Sequence, residues 1–164
     1  MKGKRFEFST SASMWNVKSN DSETETIINL PIRLGFFIYK GLEIEPEIFL
    51  TIPEESDETG YFLLANLAYN FKVSDNLILF VLGGGGFGNG VRFFDITWDY
   101  DMNVSAINFG TGIKYLVGNT AALRFEYRFT KYSGEETYTY SWGRWTDELD
   151  RTDNNILAGI SLFF

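Results

Sequence analysis

Apolar and polar residues alternate with a period of two along most of the chain. Residues 42–52 are the clearest case: Leu42, Ile44, Pro46, Ile48, Leu50 and Ile52 interleave with Glu43, Glu45, Glu47, Phe49 and Thr51. Successive side chains of a β-strand point to opposite faces, so this segment carries one greasy face and one acidic face. The same pattern recurs in eight stretches, near residues 5–15, 26–38, 42–52, 60–72, 77–88, 105–117, 121–131 and 155–164. In each, the charged residues keep to one parity and the other parity carries none, Lys131 at the very end of the seventh stretch excepted. The bare parity holds, for example, Phe6, Phe8 and Met14; Ile28 to Ile38; Leu123, Phe125, Tyr127 and Phe129; and Ile156 to Phe164.

Connections alternate in length. Tyr39-Lys40-Gly41, Val73-Ser74-Asp75-Asn76 and Gly118-Asn119-Thr120 read as tight turns. The segments near 16–25, 53–59, 89–104 and 132–154 are longer. Within the last, Tyr138-Thr139-Tyr140-Ser141-Trp142 alternates again before Gly143, which predicts a protruding hairpin with Gly143 in its turn. An even strand count with short turns at one end and long loops at the other predicts an all-β fold: a closed eight-stranded antiparallel up-and-down transmembrane β-barrel forming one domain over 1–164.

A soluble lipocalin-like barrel has the same alternation turned inside out, with the charges in water. Three features favour the membrane version. The charged parity also carries Phe37, Phe49, Phe62, Leu64, Phe80, Leu82, Leu116 and Phe163, a poor solvent face. Apart from Lys131 at the end of its stretch, the other parity is free of charge, as a lipid face must be where Lys or Arg at the bilayer midplane costs roughly 2–4 kcal/mol. Aromatics gather at the two expected interfaces: Phe36, Tyr69, Phe71, Tyr115 and Phe164 at the turn end, Tyr61, Phe87 and Phe129 at the loop end. The inward charges then form a lumen network. Glu7, Glu43, Glu45, Glu47 and Glu126 are expected to face Arg5, Arg33, Lys72, Lys114, Arg124 and Arg128. Eight strands enclose a space that side chains just fill, and unpaired charges there are destabilising, so ion pairing is expected.

Composition narrows the chemistry. The chain has 164 residues, 18% of them aromatic, and no apolar run long enough for a membrane helix. It has neither cysteine nor histidine, which removes disulfides, thiolates, the commonest general base and the commonest metal ligand. A net charge of −8 argues against a nucleic-acid partner. The opening Met1-Lys2-Gly3-Lys4-Arg5 leads into no apolar core of a signal peptide, so an exported protein of this kind is read as the mature chain.

The run Leu79-Phe80-Val81-Leu82-Gly83-Gly84-Gly85-Gly86-Phe87-Gly88 resembles the Gly-rich central strand of the OmpA/OmpX-like family of small outer-membrane barrels. Gly159-Ile160-Ser161-Leu162-Phe163-Phe164 resembles that family's C-terminal assembly signal, with Leu157 where a polar residue usually opens it. The resemblance spans essentially the whole chain. It implies a bacterial outer-membrane location, outer-membrane lipid as surroundings, an assembly machinery reading Gly159, Leu162 and Phe164, and usually no catalysis. Read by itself, the Gly run gives room for bulky lumen neighbours at Gly84 and Gly86, and twist or a bulge at Gly83 and Gly85. It lacks the following Lys and Ser/Thr of a phosphate-binding loop.

Enzymes among small outer-membrane barrels use, as the resemblance implies, His with Ser or Asp, and this chain has no His. Glu43, Glu45 and Glu47 line one stripe, but a filled lumen gives a glycan no access. The long loops are acidic yet match no EF-hand, so no metal or cofactor is expected. Trp98, Tyr100, Tyr138, Tyr140, Trp142 and Trp145 are the candidate contacts for an extracellular partner. The expectation is a monomeric, non-enzymatic surface or structural protein; the alternative is a small porin-like channel.

Overall fold

A computed structural model describes residues 5–18, 24–53, 59–89, 101–140 and 143–164. They form eight strands: β1 Phe6–Lys18, β2 Thr24–Tyr39, β3 Leu42–Pro53, β4 Gly60–Lys72, β5 Leu77–Asn89, β6 Asp101–Val117, β7 Ala121–Tyr140 and β8 Gly143–Phe163. Each strand pairs antiparallel with the next in the chain, and β8 returns to β1, closing a barrel. No helix occurs among the described residues.

The turns follow from local chemistry. Lys40 and Gly41 both have positive φ, 34° and 94°, the backbone of a two-residue hairpin turn whose twist suits its flanking strands. In the next turn the Leu77 backbone N–H donates to Ser74 Oγ at 3.1 Å. The strand prolines leave local gaps, as expected of a residue with no N–H to give. The β1–β2 ladder skips from Thr10↔Ile32 to Ser13↔Asn29 beside Pro31, and the β2–β3 ladder skips from Arg33↔Glu47 to Phe36↔Ile44 beside Pro46.

The apolar parity lies outside. Ile28, Leu34, Ile44, Ile48, Leu63, Leu67, Phe109, Phe125 and Ile160 are all exposed, whereas Glu43, Glu45 and Glu47 are buried. The inside-out soluble alternative is thereby excluded for this barrel. At the turn end the outward rings pack on one another: Phe6 against Phe36 at 5.6 Å between centroids, and Tyr69 against Phe71 at 4.6 Å.

Three strands run longer than the alternation predicts. β6 starts at Asp101 rather than 105, β7 continues past 131 to Tyr140, and β8 starts at Gly143 rather than 155. The protruding hairpin expected within 132–154 is present, since the segment is mostly ladder, with Gly143 pairing with Tyr140 as a strand end. The physical reason is that period-two hydrophobicity marks only the part of a strand with lipid on one side. Beyond Phe129 the outward residues are polar, with Lys131 paired to Asp150 at 3.1 Å, while the backbone ladder carries on. A spanning strand needs about 9–11 residues. β7 and β8, at 20 and 21 residues, exceed that and project as a hairpin.

In the glycine run, Gly84 does leave room for a lumen side chain, since a Cβ there would lie 2.3 Å from Asn66 Oδ1, but Gly86 differs from the expectation. A Cβ at Gly86 would lie 1.9 Å from the Leu63 carbonyl oxygen. The glycine there lets β5 approach the β4 backbone closely and does not make space for a lumen side chain.

Candidate functional site

The interior is layered. At the loop end, Phe49, Phe62, Leu64, Val104, Ala106 and Tyr132 form an apolar cluster, with the Phe62 and Tyr132 rings 5.1 Å apart. Beside it runs a neutral hydrogen-bond network. Asn29 Nδ2 donates to Asn155 Oδ1 at 3.1 Å and to Ser13 Oγ at 3.4 Å, and Thr51 Oγ1 donates to Asn29 Oδ1 at 3.0 Å.

The middle of the lumen is ionic, and its geometry comes from strand order. β3 presents Glu43, Glu45 and Glu47 as one stripe; β7 presents Arg124, Glu126 and Arg128 as another. In a closed ring of eight, strands four apart lie across the diameter, so the acidic stripe meets the arginine stripe through the barrel axis. Arg128 joins Glu126 at 2.6 Å and also contacts Glu47; Arg33 from β2 joins Glu47 at 3.0 Å and Glu126 at 3.4 Å. Asn66 Nδ2 donates to Glu47 at 2.8 Å, and its Oδ1 accepts from Asn108 Nδ2 at 2.9 Å.

One layer nearer the turn end, Arg124 grips Glu45 with two parallel bonds of 2.8 and 3.1 Å. This fork geometry is what a guanidinium offers a carboxylate and an ammonium does not. Arg124 also reaches Glu126 at 3.0 Å and Glu7 at 3.4 Å, and stacks 4.4 Å from the Phe80 ring centroid. Lys114 Nζ sits among three carboxylates, 2.6 Å from Glu7, 3.1 Å from Glu43 and 3.8 Å from Glu45. Oxygens of those three carboxylates lie within 4.8 Å of one another, the spacing of a cation seat, and the lysine ammonium supplies the cation. Phe37 and Phe163, 6.4 Å apart between centroids, lie at the turn end.

Nine of the eleven residues assigned to the lumen by parity are thus brought together: Glu7, Arg33, Glu43, Glu45, Glu47, Lys114, Arg124, Glu126 and Arg128, none more than 3% exposed. Lys72 is a correction. Its side chain is 60% exposed and pairs at 2.7 Å with Asp75, three residues on in the turn. It is the last residue of β4, where inward parity points at the rim and a long side chain turns to water. Arg5, also expected in the lumen, is exposed at the barrel end. The hydrogen bond from Lys72 holds the Asp75 carboxyl below the usual carboxylate range. Parity reasoning had passed over the neutral members Ser13, Asn29, Asn66, Asn70, Asn108 and Asn155. Their signal was present, since each lies on an inward position, but a lone amide on a strand carries no charge to pick it out.

Gly159, Leu162 and Phe164 lie at the closing seam. Phe164 accepts at its carbonyl from the backbone N–H of Arg5 and Phe6, at 2.9 and 3.3 Å, and donates its own N–H to Phe6 at 3.0 Å. Leu157 is fully buried in the lumen. Of the candidate partner contacts, Trp98, Tyr100 and Trp142 lie outside the described residues. Tyr138, Tyr140 and Trp145 are placed by backbone alone, Tyr138 opposite Trp145 on the projecting hairpin.

No family model and no curated protein matches the chain. Solved structures do. The chain is similar to Neisserial surface protein A at 13% identity and a TM-score of 0.67, over 97% of both chains. It is similar to the outer-membrane protein OprG of Pseudomonas aeruginosa at 10% identity and a TM-score of 0.59, over 98% of this chain and 94% of that one. The outer membrane protein AlkL, determined in lipid bilayers, aligns at 15% identity and a TM-score of 0.56, over 98% and 88%. At these identities the likeness is one of fold: the chain has the architecture of small eight-stranded outer-membrane β-barrels.

Proposed function

We propose that this chain is a non-enzymatic integral protein of the bacterial outer membrane, whose sealed barrel anchors a projecting hairpin for contact at the cell surface or for envelope structure. One observation carries the membrane reading. The bilayer-height outer wall is a continuous belt of exposed Ile, Leu, Val, Phe and Tyr without a charge, while nine charges lie inside. In water such a belt far exceeds the apolar patch a soluble monomer tolerates; in lipid it is the stable arrangement. The sealed state is supported by the packing of the ionic layers. The side chains of Arg33, Lys114, Arg124, Glu126 and Arg128 have no solvent-accessible surface, which is unlike the wall of a water-filled pore.

Two measurements test the reading. The protein, secreted with an export signal, is expected in the outer-membrane fraction, with the hairpin around 143–150 cut by protease added to intact cells. Recovery as a soluble periplasmic protein overturns the membrane assignment. Refolded into planar bilayers, the wild type is expected to give no unitary conductance steps; reproducible steps would replace the anchor with the channel.

A further inference from the structure

Five buried carboxylates share the described lumen with four buried cations. The imbalance has a location. Glu47 and Glu126 are matched by Arg33 and Arg128. The turn-end layer sets Glu7, Glu43 and Glu45 against Lys114 and Arg124 only. Within that layer Glu43 is the under-served group. Its Oε2 accepts from Lys114 at 3.1 Å and from Asn70 Nδ2 at 2.8 Å, whereas its Oε1 is buried without a hydrogen-bond partner. That oxygen is directed over Gly35 toward Glu7: a Cβ on Gly35 would lie 1.7 Å from it and 3.0 Å from Glu7 Cβ. An anionic oxygen taken from water and left unpaired is among the costliest features a fold can carry.

We propose that the inner end of the lumen binds one exchangeable monovalent cation, a proton or an alkali ion such as Na⁺, at the Glu43 oxygen that faces Gly35. The charge count sets the valence, because among the described residues one unit of buried negative charge is uncompensated and a divalent ion would overshoot it. The seat between the three carboxylates is already held by the Lys114 ammonium, so the guest lies beside that lysine and does not replace it. Among the described residues, the charged groups around Glu43 are Glu7 from β1, Glu45 from its own strand, Lys114 from β6 and Arg124 from β7. Its neighbours from β2 and β4, Gly35 and Asn70, are neutral. Glu43 lies near the turn end of the lumen, with Leu42 between it and the Lys40–Gly41 turn. The site stands whether or not the hairpin has a partner.

The test compares wild type with Glu43→Gln, both refolded in phosphatidylcholine vesicles. Unfolding is followed in NaCl or in choline chloride of equal ionic strength, from mildly acidic to mildly alkaline pH. A bound guest makes the wild-type unfolding constant respond by up to about tenfold per tenfold change in its concentration. A wild type that loses stability in choline but not with rising pH identifies an alkali ion; the reverse identifies a proton. In either case Glu43→Gln is expected to be flat to the same variable. A wild type indifferent to both, or a variant that keeps the wild-type response, overturns the site. Should the variant fail to refold, isotope-edited infrared spectra of ¹³C-Glu wild type decide. A protonated-carboxyl band at mildly alkaline pH, or a Na⁺-induced shift of a carboxylate band, supports the site, and absence of both overturns it.

Discussion

Arg124 shows how strongly one residue depends on its height in the barrel. It contacts Glu7, Glu45 and Glu126 and lies on Phe80, all without solvent. Arg124→Met is expected to destabilise the barrel by about 3–5 kcal/mol, because it strands buried carboxylates. Adding Glu45→Gln should recover a good part of that loss, a coupling that urea titration of the refolded proteins would measure in a double-mutant cycle. Additive losses would mean that water reaches Glu45. At the rim the same charge types do little. Asp75 is fully exposed and its depressed pKa comes from the Lys72 hydrogen bond. A depressed carboxyl stabilises above its unfolded pKa and loses that contribution as pH falls through the folded value. Any stabilisation from this pair therefore disappears only in the acid range. Lys72→Ala is expected to return the Asp75 pKa toward the ordinary carboxylate value, read by NMR titration, with the unfolding midpoint at neutral pH almost unchanged.

At the scale of elements, the β7–β8 hairpin is the separable part. The fully buried lumen charges on these strands end at Arg128, with the part-buried Arg151–Asp153 pair just beyond, and the rows beyond Lys131 pair chiefly with each other and with the start of β6. Ser133 and Asp150 stand opposite one another in register. Removing 134–149 and joining 133 to 150 through an Asn-Gly turn should therefore preserve the ladder below. The shortened barrel is expected to keep its β-type circular dichroism and most of its thermal stability while losing any surface-contact phenotype. Loss of folding would make the hairpin structural. Full retention of the phenotype would move the function elsewhere.

For the whole molecule, closure is the step that creates the inside. The β1–β8 ladder is short, six pairs from Glu7↔Phe163 to Ala12↔Ala158, and the Phe164 main chain completes it at the end. The Phe164 ring points outward and is largely exposed, so it adds little to the packed interior. Phe164→Ala keeps the backbone bonds that deletion would remove. We expect the variant to refold normally into detergent or lipid, yet to reach the outer membrane of cells in reduced amount, as the resemblance to an assembly signal implies. Wild-type membrane levels of Phe164→Ala would count against that role for the ring.

Strand existence and the inward or outward sense of each residue were legible in the chain because both depend on a two-residue backbone repeat, which is local. Glu43, Glu45 and Glu47 declare one face of one strand without knowledge of any other. The limits of that reading are equally physical. Within 132–154 only the alternation at 138–142 announced the hairpin, because the apolar alternation fades where no lipid lies against the strand, although the backbone ladder carries on. Lys72 shared the lumen parity but not the lumen depth, and depth depends on strand tilt and register around the ring. That Glu45 is held by Arg124 across the diameter, that Lys114 fills a seat of three carboxylates, and that the uncompensated charge falls at Glu43 beside Gly35 were settled only when β8 met β1. Those contacts join residues up to 107 positions apart, and no pattern along the chain encodes which of them share a level.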